Sequence, residues 1–227
     1  MLHVVIAETE LELVPERLHK DTVITASAER TGNEPSRMLL ESTHHHRATW
    51  KLEDGRRRGR PDILHFCLVT ALHSVANSKD HLRLHVHTRH DKVISINRYT
   101  RIPKDYNRFA GLMRHLLIEG AVPPQQPLLE LADMTLDELL EQEKPSKVFI
   151  LSKKGKRMSP RVLGRQLAKE KRPIVVIGGF PHGEFDRKHR DEENVISIYD
   201  SGLPAWTVLS TVLHAYEDAK GLFSGKG

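Results

Sequence analysis

The stretch KVFILSKKGKRMSPRVLGRQLAKEKRPIVVIGGF, residues 147–180, decides the fold. Its ends, KVFILS (147–152) and PIVVIGGF (173–180), read as strands, and SPRVLGRQLAKE (159–170) between them reads as a helix. The alternation continues with NVISIY (194–199) as a strand and PAWTVLSTVLHAYEDAK (204–220) as a helix. Strands alternating with helices predict an α/β fold with a mostly parallel sheet.

Upstream, LHVVIAE (2–8) is a β-branched run and reads as the first strand. It has no basic start and turns acidic early, unlike a signal peptide. HLRLHVHT (81–88) alternates Leu82, Leu84 and Val86 with polar residues, and KVISINRYTRI (92–102) pairs with it across the turn RHD. PDILHFCLVTALHSVAN (61–77) opens with a proline suited to a first helical turn, and its apolar residues follow at helical spacing. Phe109, Leu112, Met113, Leu116 and Leu117 form a helical stripe that Gly120 caps. A helix is expected over Arg37–Trp50, a linker at AVPPQQP (121–127), and a capping box at Thr135 and Glu138. Residues 14–37 lack periodicity and read as an insertion. No internal repeat is seen.

A chain of 227 residues can bury a substantial core. With 38% apolar and 29% charged residues the composition is that of a globular protein, and no apolar run approaches membrane-helix length. The single cysteine, Cys67, excludes an internal disulfide and points to a reducing, cytoplasmic setting. The formal net charge is +5, and its clustering suggests a polyanionic partner.

Two basic elements carry that suggestion. GRRRGRPD (55–62) holds Arg56, Arg57, Arg58 and Arg60 next to Asp62. RIPKDYNRF (101–109) holds Arg101, Lys104 and Arg108, which share a face if a helix starts near Pro103. Guanidinium forks fit phosphate oxygens, and with Tyr106 or Phe109 beside them they suit a looped or single-stranded RNA. A solvated charged face is the competing reading. Asp62 reads as a group that aims Arg60, rather than as a base, because flanking cations keep a carboxylate ionised.

Gly178, Gly179 and Gly183 form a glycine-rich turn after a strand, where backbone can approach a ligand. They match neither a dinucleotide fingerprint nor a P-loop. With the second loop, ISIYDSGLPAW (196–206), they outline a pocket of nucleoside-cofactor type. His44–His46 and the histidines of HVHTRH (85–90) raise zinc, but without a third fixed ligand the expectation is an exposed histidine-rich strand face and no metal. Cys67 looks buried and no nucleophile elbow is present, so nucleophilic catalysis is not indicated.

RRGRPDILH, RIPKDYNRFAGLM, and IGGFPHGEF followed by ISIYDSGLPAW together resemble the ribosome-biogenesis pseudouridine N1-specific methyltransferases of small-subunit rRNA, a family of the SPOUT superfamily. The likeness runs from about residue 57 to the C-terminus, and VVIAE fits the family's first strand. It implies one SPOUT-type domain over residues 1–227, with helices on both sheet faces and a C-terminal trefoil knot. An insertion is placed around 12–55 and the cofactor part at about 146–227. It implies S-adenosylmethionine as cofactor, a homodimer, and a looped pseudouridine of rRNA as substrate. It assigns Arg60 and Asp62 to the catalytic centre. Arg57, Arg58, Arg60, Arg101, Lys104 and Arg108 are assigned to RNA. Ser152, Gly178, Gly183, Ile196, Ser197, Ile198, Tyr199, Asp200, Ser201 and Leu203 are assigned to the cofactor. Lys104 stands where the family often has arginine, and YDSGLPAW is longer than the usual family loop. The alternative is a non-catalytic RNA-binding assembly factor; a histidine-metal hydrolase ranks last.

Overall fold

The computed structural model describes residues 1–185 and 194–224. In chain order its elements are β1 (Leu2–Thr9), α1 (Thr22–Thr31), α2 (Ser42–Thr49), α3 (Pro61–Leu72), α4 (Val75–Ser78), β2 (Leu82–Thr88) and β3 (Lys92–Ile96). Then follow α5 (Tyr106–Glu119), β4 (Ala121–Val122), β5 (Leu129–Asp133), α6 (Leu136–Glu143), β6 (Lys147–Arg157), α7 (Pro160–Lys169), β7 (Pro173–Gly178), β8 (Val195–Ser197) and α8 (Ala205–Ala219). The strands form one sheet in the order β4-β5-β3-β2-β1-β7-β6-β8. β2, β1, β7, β6 and β8 run parallel; β3, β5 and β4 extend the edge in antiparallel sense.

β1 lies near the middle of the sheet and every residue of it is buried, which explains its apolar run Val4–Ala7. On one face α3, α5, α7 and α8 supply Leu64, Phe109, Leu163, Leu209 and Tyr216 to the main core. Each such burial stabilises the fold by about 1.5–3 kcal/mol. On the other face α6 contributes Leu136 and Leu139 to a second cluster with Val5, Ile174 and Phe185. A third cluster, including Val14, Leu18, Ile24, Met38, Leu40 and Leu52, belongs to the segment between β1 and α3. No described helix is long and apolar enough to cross a membrane.

The structure departs from the expectations in four places. Met38–Leu40 are extended, with Leu39 bridged to Leu13, and the helix starts only at Ser42. The tertiary demand to bury all three side chains overrides their helical spacing. The helix expected near Pro103 begins at Tyr106, capped by Asp105, whose carboxylate accepts from the Arg108 N–H at 2.9 Å. Arg101 and Lys104 thus precede the helix. AVPPQQP is the turn of a small hairpin and not a linker, and β5 beyond it was not anticipated. The histidine face of β2 is not exposed: the side chains of His85 and His87 are 12% and 3% accessible.

Candidate active site

The parallel strands β1, β7, β6 and β8 end at a common edge, where open α/β sheets bind ligands. A cleft of about 470 Å³ opens there. It is lined by Ser152 from β6, Gly178, Gly183, and the run Ile196, Ser197, Ile198, Tyr199, Ser201 and Leu203, with Ile63, Ile177, Phe180 and Phe185 as apolar walls. Arg60 reaches the same cleft from the start of α3. Asp200 does not line it; its exposed carboxylate sits 3.3 Å from Arg157 Nε.

The glycines act differently from one another. A Cβ on Gly178 would stand 2.6 Å from the Phe180 ring, so this glycine lets the chain fold Phe180 back against the cleft wall. Gly183 has φ +95°, where other residues are strained, and a Cβ there would meet only Arg57 Nη1, at 3.7 Å. Gly183 lines both the cleft and the hollow beside it, so a bulky side chain there would fill part of that shared space.

The basic run divides by direction. Arg57 faces inward. Its Nε donates to Glu10 Oε1 and its Nη2 to Glu8 Oε2, both at 2.6 Å, and its Nη1 donates to the Glu184 carbonyl oxygen at 2.9 Å. The guanidinium carbon lies 3.8 Å from the centroid of Phe180. Glu8, at φ 50°, is held in the left-handed region in reach of this arginine. Arg58 is 7% exposed and donates twice to Glu12, at 2.8 and 2.5 Å. Burial pushes the Glu12 carboxyl up, but Arg58 and His90 together outweigh it and hold the group below its ordinary range. Arg89 adds a donor to Glu10 at 2.8 Å. The acidic residues at and just after the end of β1 therefore neutralise half of the arginine run; Arg57 braces the glycine turn, and Arg58 is held by Glu12.

Arg60 and Asp62 form the forked pair expected, with Nε–Oδ1 at 2.8 Å and Nη2–Oδ2 at 2.7 Å. Asp62 lies in the first turn of α3, and Arg60 takes the N-cap position. The bond to Asp62 raises the Arg60 pKa further and fixes its charge. Beside them the Tyr106 hydroxyl donates to Glu41 Oε2 at 2.7 Å. Burial first, then Glu41, holds the phenol protonated well above its ordinary range. His65 Nε2 donates to the Pro103 carbonyl oxygen at 2.7 Å, and its ring stacks on Phe109 at 4.4 Å, so α3 and RIPKDYNRF pack as one unit. Arg56, Arg101, Lys104 and Arg108 are exposed and form no ion pair among the described residues.

Phe109 is fully buried and cannot stack on a base, and the Tyr106 hydroxyl is taken by Glu41. Trp50, 68% exposed, shares a hollow with the free Arg56, and Tyr99, 72% exposed, lies two residues before Arg101 and beneath Arg98, which is paired with Asp80 at 2.6 Å. Trp50, Arg56 and Arg57 line a second hollow that shares His182 and Gly183 with the cleft. Adjacency in sequence, Trp50 before the basic run and Tyr99 just before Arg101, was the available signal.

A cleft of this size falls in the range of about 300–1,000 Å³ that small ligands occupy. Apolar walls, three strand ends and an open glycine position fit a nucleoside-bearing cofactor. The family model EMG1/NEP1 methyltransferase matches residues 4–217.

The chain belongs to the EMG1/NEP1 methyltransferase family.

Among its curated relatives, the ribosomal RNA small subunit methyltransferase Nep1 of Thermococcus kodakarensis is 48% identical over 222 residues, covering 98% of this chain and all of that one. The Nep1 of Pyrococcus furiosus is 46% identical over 216 residues, 95% of this chain and 96% of the relative. The crystal structure of Archaeoglobus fulgidus Nep1 bound to S-adenosylhomocysteine superposes with a TM-score of 0.86 at 32% identity, over 96% of this chain and 98% of that one. A Nep1-type sheet thus carries the cleft and the forked Arg60–Asp62 pair at one edge.

Proposed function

We propose that this chain methylates small-subunit rRNA with S-adenosylmethionine as donor, at N1 of a pseudouridine. The observation that carries the reading is the convergence of Arg60 and both glycine-turn loops on one cleft in a chain of this family. The relatives named as small-subunit rRNA methyltransferases, and the neighbour bound to S-adenosylhomocysteine, support the substrate and the cofactor. The N1 target, a trefoil knot in residues 146–227, a cytoplasmic setting and a homodimer rest on the motif resemblance.

The donor supplies a methyl group already activated on sulfonium. An N–CH₃ bond forms as the S–CH₃ bond breaks, and the N1 proton leaves to solvent or to a weak base. The chain's task is alignment and exclusion of water. Ser152, Gly178, Gly183, Ile196–Ser201 and Leu203 would hold the donor, with Asp200 at the outer rim. Arg60, kept in direction by Asp62, would meet the extruded nucleotide at the mouth, since N1 must leave the stack to reach the cleft. Arg101, Lys104, Arg108 and Arg56 would hold the flanking phosphates. Arg57 and Arg58 would act behind the turn rather than on RNA.

The test is mass spectrometry of a pseudouridine hairpin incubated with chain and donor, beside the same hairpin carrying uridine. A gain of one methyl group on the first only supports the reading. Methylation of neither hairpin, with RNA still bound, returns the chain to an assembly factor.

A further inference from the structure

At the opposite end of the parallel strands from the cleft, two histidines and a glutamate converge. His3 stands second in β1, His85 fourth in β2, and Glu143 ends α6. His3 Nδ1 lies 3.1 Å from Glu143 Oε2 and His85 Nε2 lies 3.5 Å from Glu143 Oε1. The ligand-capable atoms of all three fall within 4.8 Å of one another. The two imidazoles stack at 6.1 Å with 20° between planes. His3 is 7% exposed, and the side chains of His85 and Glu143 are 12% and 18% exposed.

The nitrogens His3 Nδ1, His85 Nδ1 and His85 Nε2 are buried and make no hydrogen bond among the described residues. A buried polar atom left unsatisfied costs about 1–3 kcal/mol. Ligand atoms placed ~2.0–2.1 Å from a tetrahedral zinc ion lie ~3.3–3.4 Å apart. The two observed separations, 3.1 and 3.5 Å, bracket that spacing. Burial is the main force keeping both imidazoles neutral and their lone pairs free; it pushes the His3 pKa down to about 4. Arg172 on His3 and Arg83 on His85 act in the same direction, and they also oppose an added cation, which the Glu143 carboxylate offsets.

We propose that His3, His85 and Glu143 form a binding site for one divalent transition-metal ion of the zinc class, which pins the end of α6 to the first two parallel strands. Two imidazoles and one carboxylate suit such an ion, with the fourth position open to solvent. The ion would be structural: it lies away from the cleft, and α6 otherwise reaches the sheet through only two fully buried side chains, Leu136 and Leu139.

The test uses the full chain without a histidine tag, since the sequence already holds 15 histidines. The protein is stripped with chelator and titrated with Zn²⁺ by calorimetry and with Co²⁺ by visible absorption. One ion per chain, a tetrahedral cobalt spectrum and a Tm raised by zinc are expected. Glu143→Gln, at a helix end, and His85→Phe should abolish all three while circular dichroism stays unchanged. His44→Gln and His46→Gln, on exposed surface, should bind like the parent. The proposal is overturned if the stripped parent takes up no zinc at equimolar concentration. It is equally overturned if Glu143→Gln binds as tightly as the parent, which would place the ion on surface histidines. Methyl transfer is not the readout, so failure here leaves the proposed reaction untouched.

Discussion

Arg57→Met removes a cation that touches four groups at once while keeping most of the apolar stem. The side chain of Glu10 is wholly buried and that of Glu8 is 8% exposed, so both carboxylates depend on internal cations. Breaking a buried ion pair by deleting one partner costs about 3–5 kcal/mol. Arg89 remains 2.8 Å from Glu10 Oε2, so the lower end, about 3 kcal/mol, is expected. Urea unfolding should show a lower midpoint with an unchanged slope. Because Arg57 also holds the Glu184 carbonyl and covers Phe180, the glycine turn should loosen. Affinity for S-adenosylhomocysteine should fall about tenfold, equivalent to about 1.4 kcal/mol. A stability loss under about 1 kcal/mol, the range of exposed ion pairs, together with unchanged ligand affinity, refutes the brace.

Gly183→Trp should abolish S-adenosylhomocysteine binding by calorimetry while leaving RNA affinity within about twofold, a change of only about 0.4 kcal/mol; retained ligand binding would move the cofactor elsewhere. Arg60→Ala and Arg108→Ala should each lower RNA affinity and reduce the slope of log K against log salt by about one, while Arg58→Met should leave the slope unchanged and lower stability. Asp62→Asn should change stability by less than about 1 kcal/mol, because the pair is a third exposed, yet slow methyl transfer; an unchanged rate means that Arg60 needs no aiming. His45 is 2% exposed, and burial pushes its pKa down to about 4 from 6.5. Since the unfolded chain binds that proton first, its contribution is full above 6.5 and falls as pH drops toward 4, by up to about 1.4 kcal/mol per pH unit. His45→Gln should flatten the stability–pH curve in that window; identical curves would assign the acid sensitivity elsewhere.

The alternation of strands and helices after residue 146 was legible because each element there buries a continuous apolar face, and periodicity reports burial. Met38–Leu40 misled for the same reason: three buried apolar residues in a row look alike in a helix turn and in an extended bridge. In the cleft the order of chemistry was readable, from the glycine turns to Arg60 and Asp62. What the linear string hid was direction. Arg56, Arg57, Arg58 and Arg60 are equivalent as letters, but partners 46 to 49 residues away turn two of them inward. Glu8, Glu10 and Glu12 were noted only as an acidic end to the first strand, although an acidic triplet at the end of a buried strand requires cations from elsewhere. The His3–Glu143 contact spans 140 residues, beyond the reach of any local motif.

The Glu12–Arg58 clamp closes the excursion that carries α1 and α2 at its root, and that excursion packs around its own apolar cluster. Each doubling of such a loop's length adds only about 0.6 kcal/mol of closure entropy. The segment can therefore vary in length at modest cost, provided Glu41 stays in reach of Tyr106 and Leu39 stays in the main core. Lengthening or trimming its outer reach near Trp50 is expected to leave the fold of the sheet edge in place.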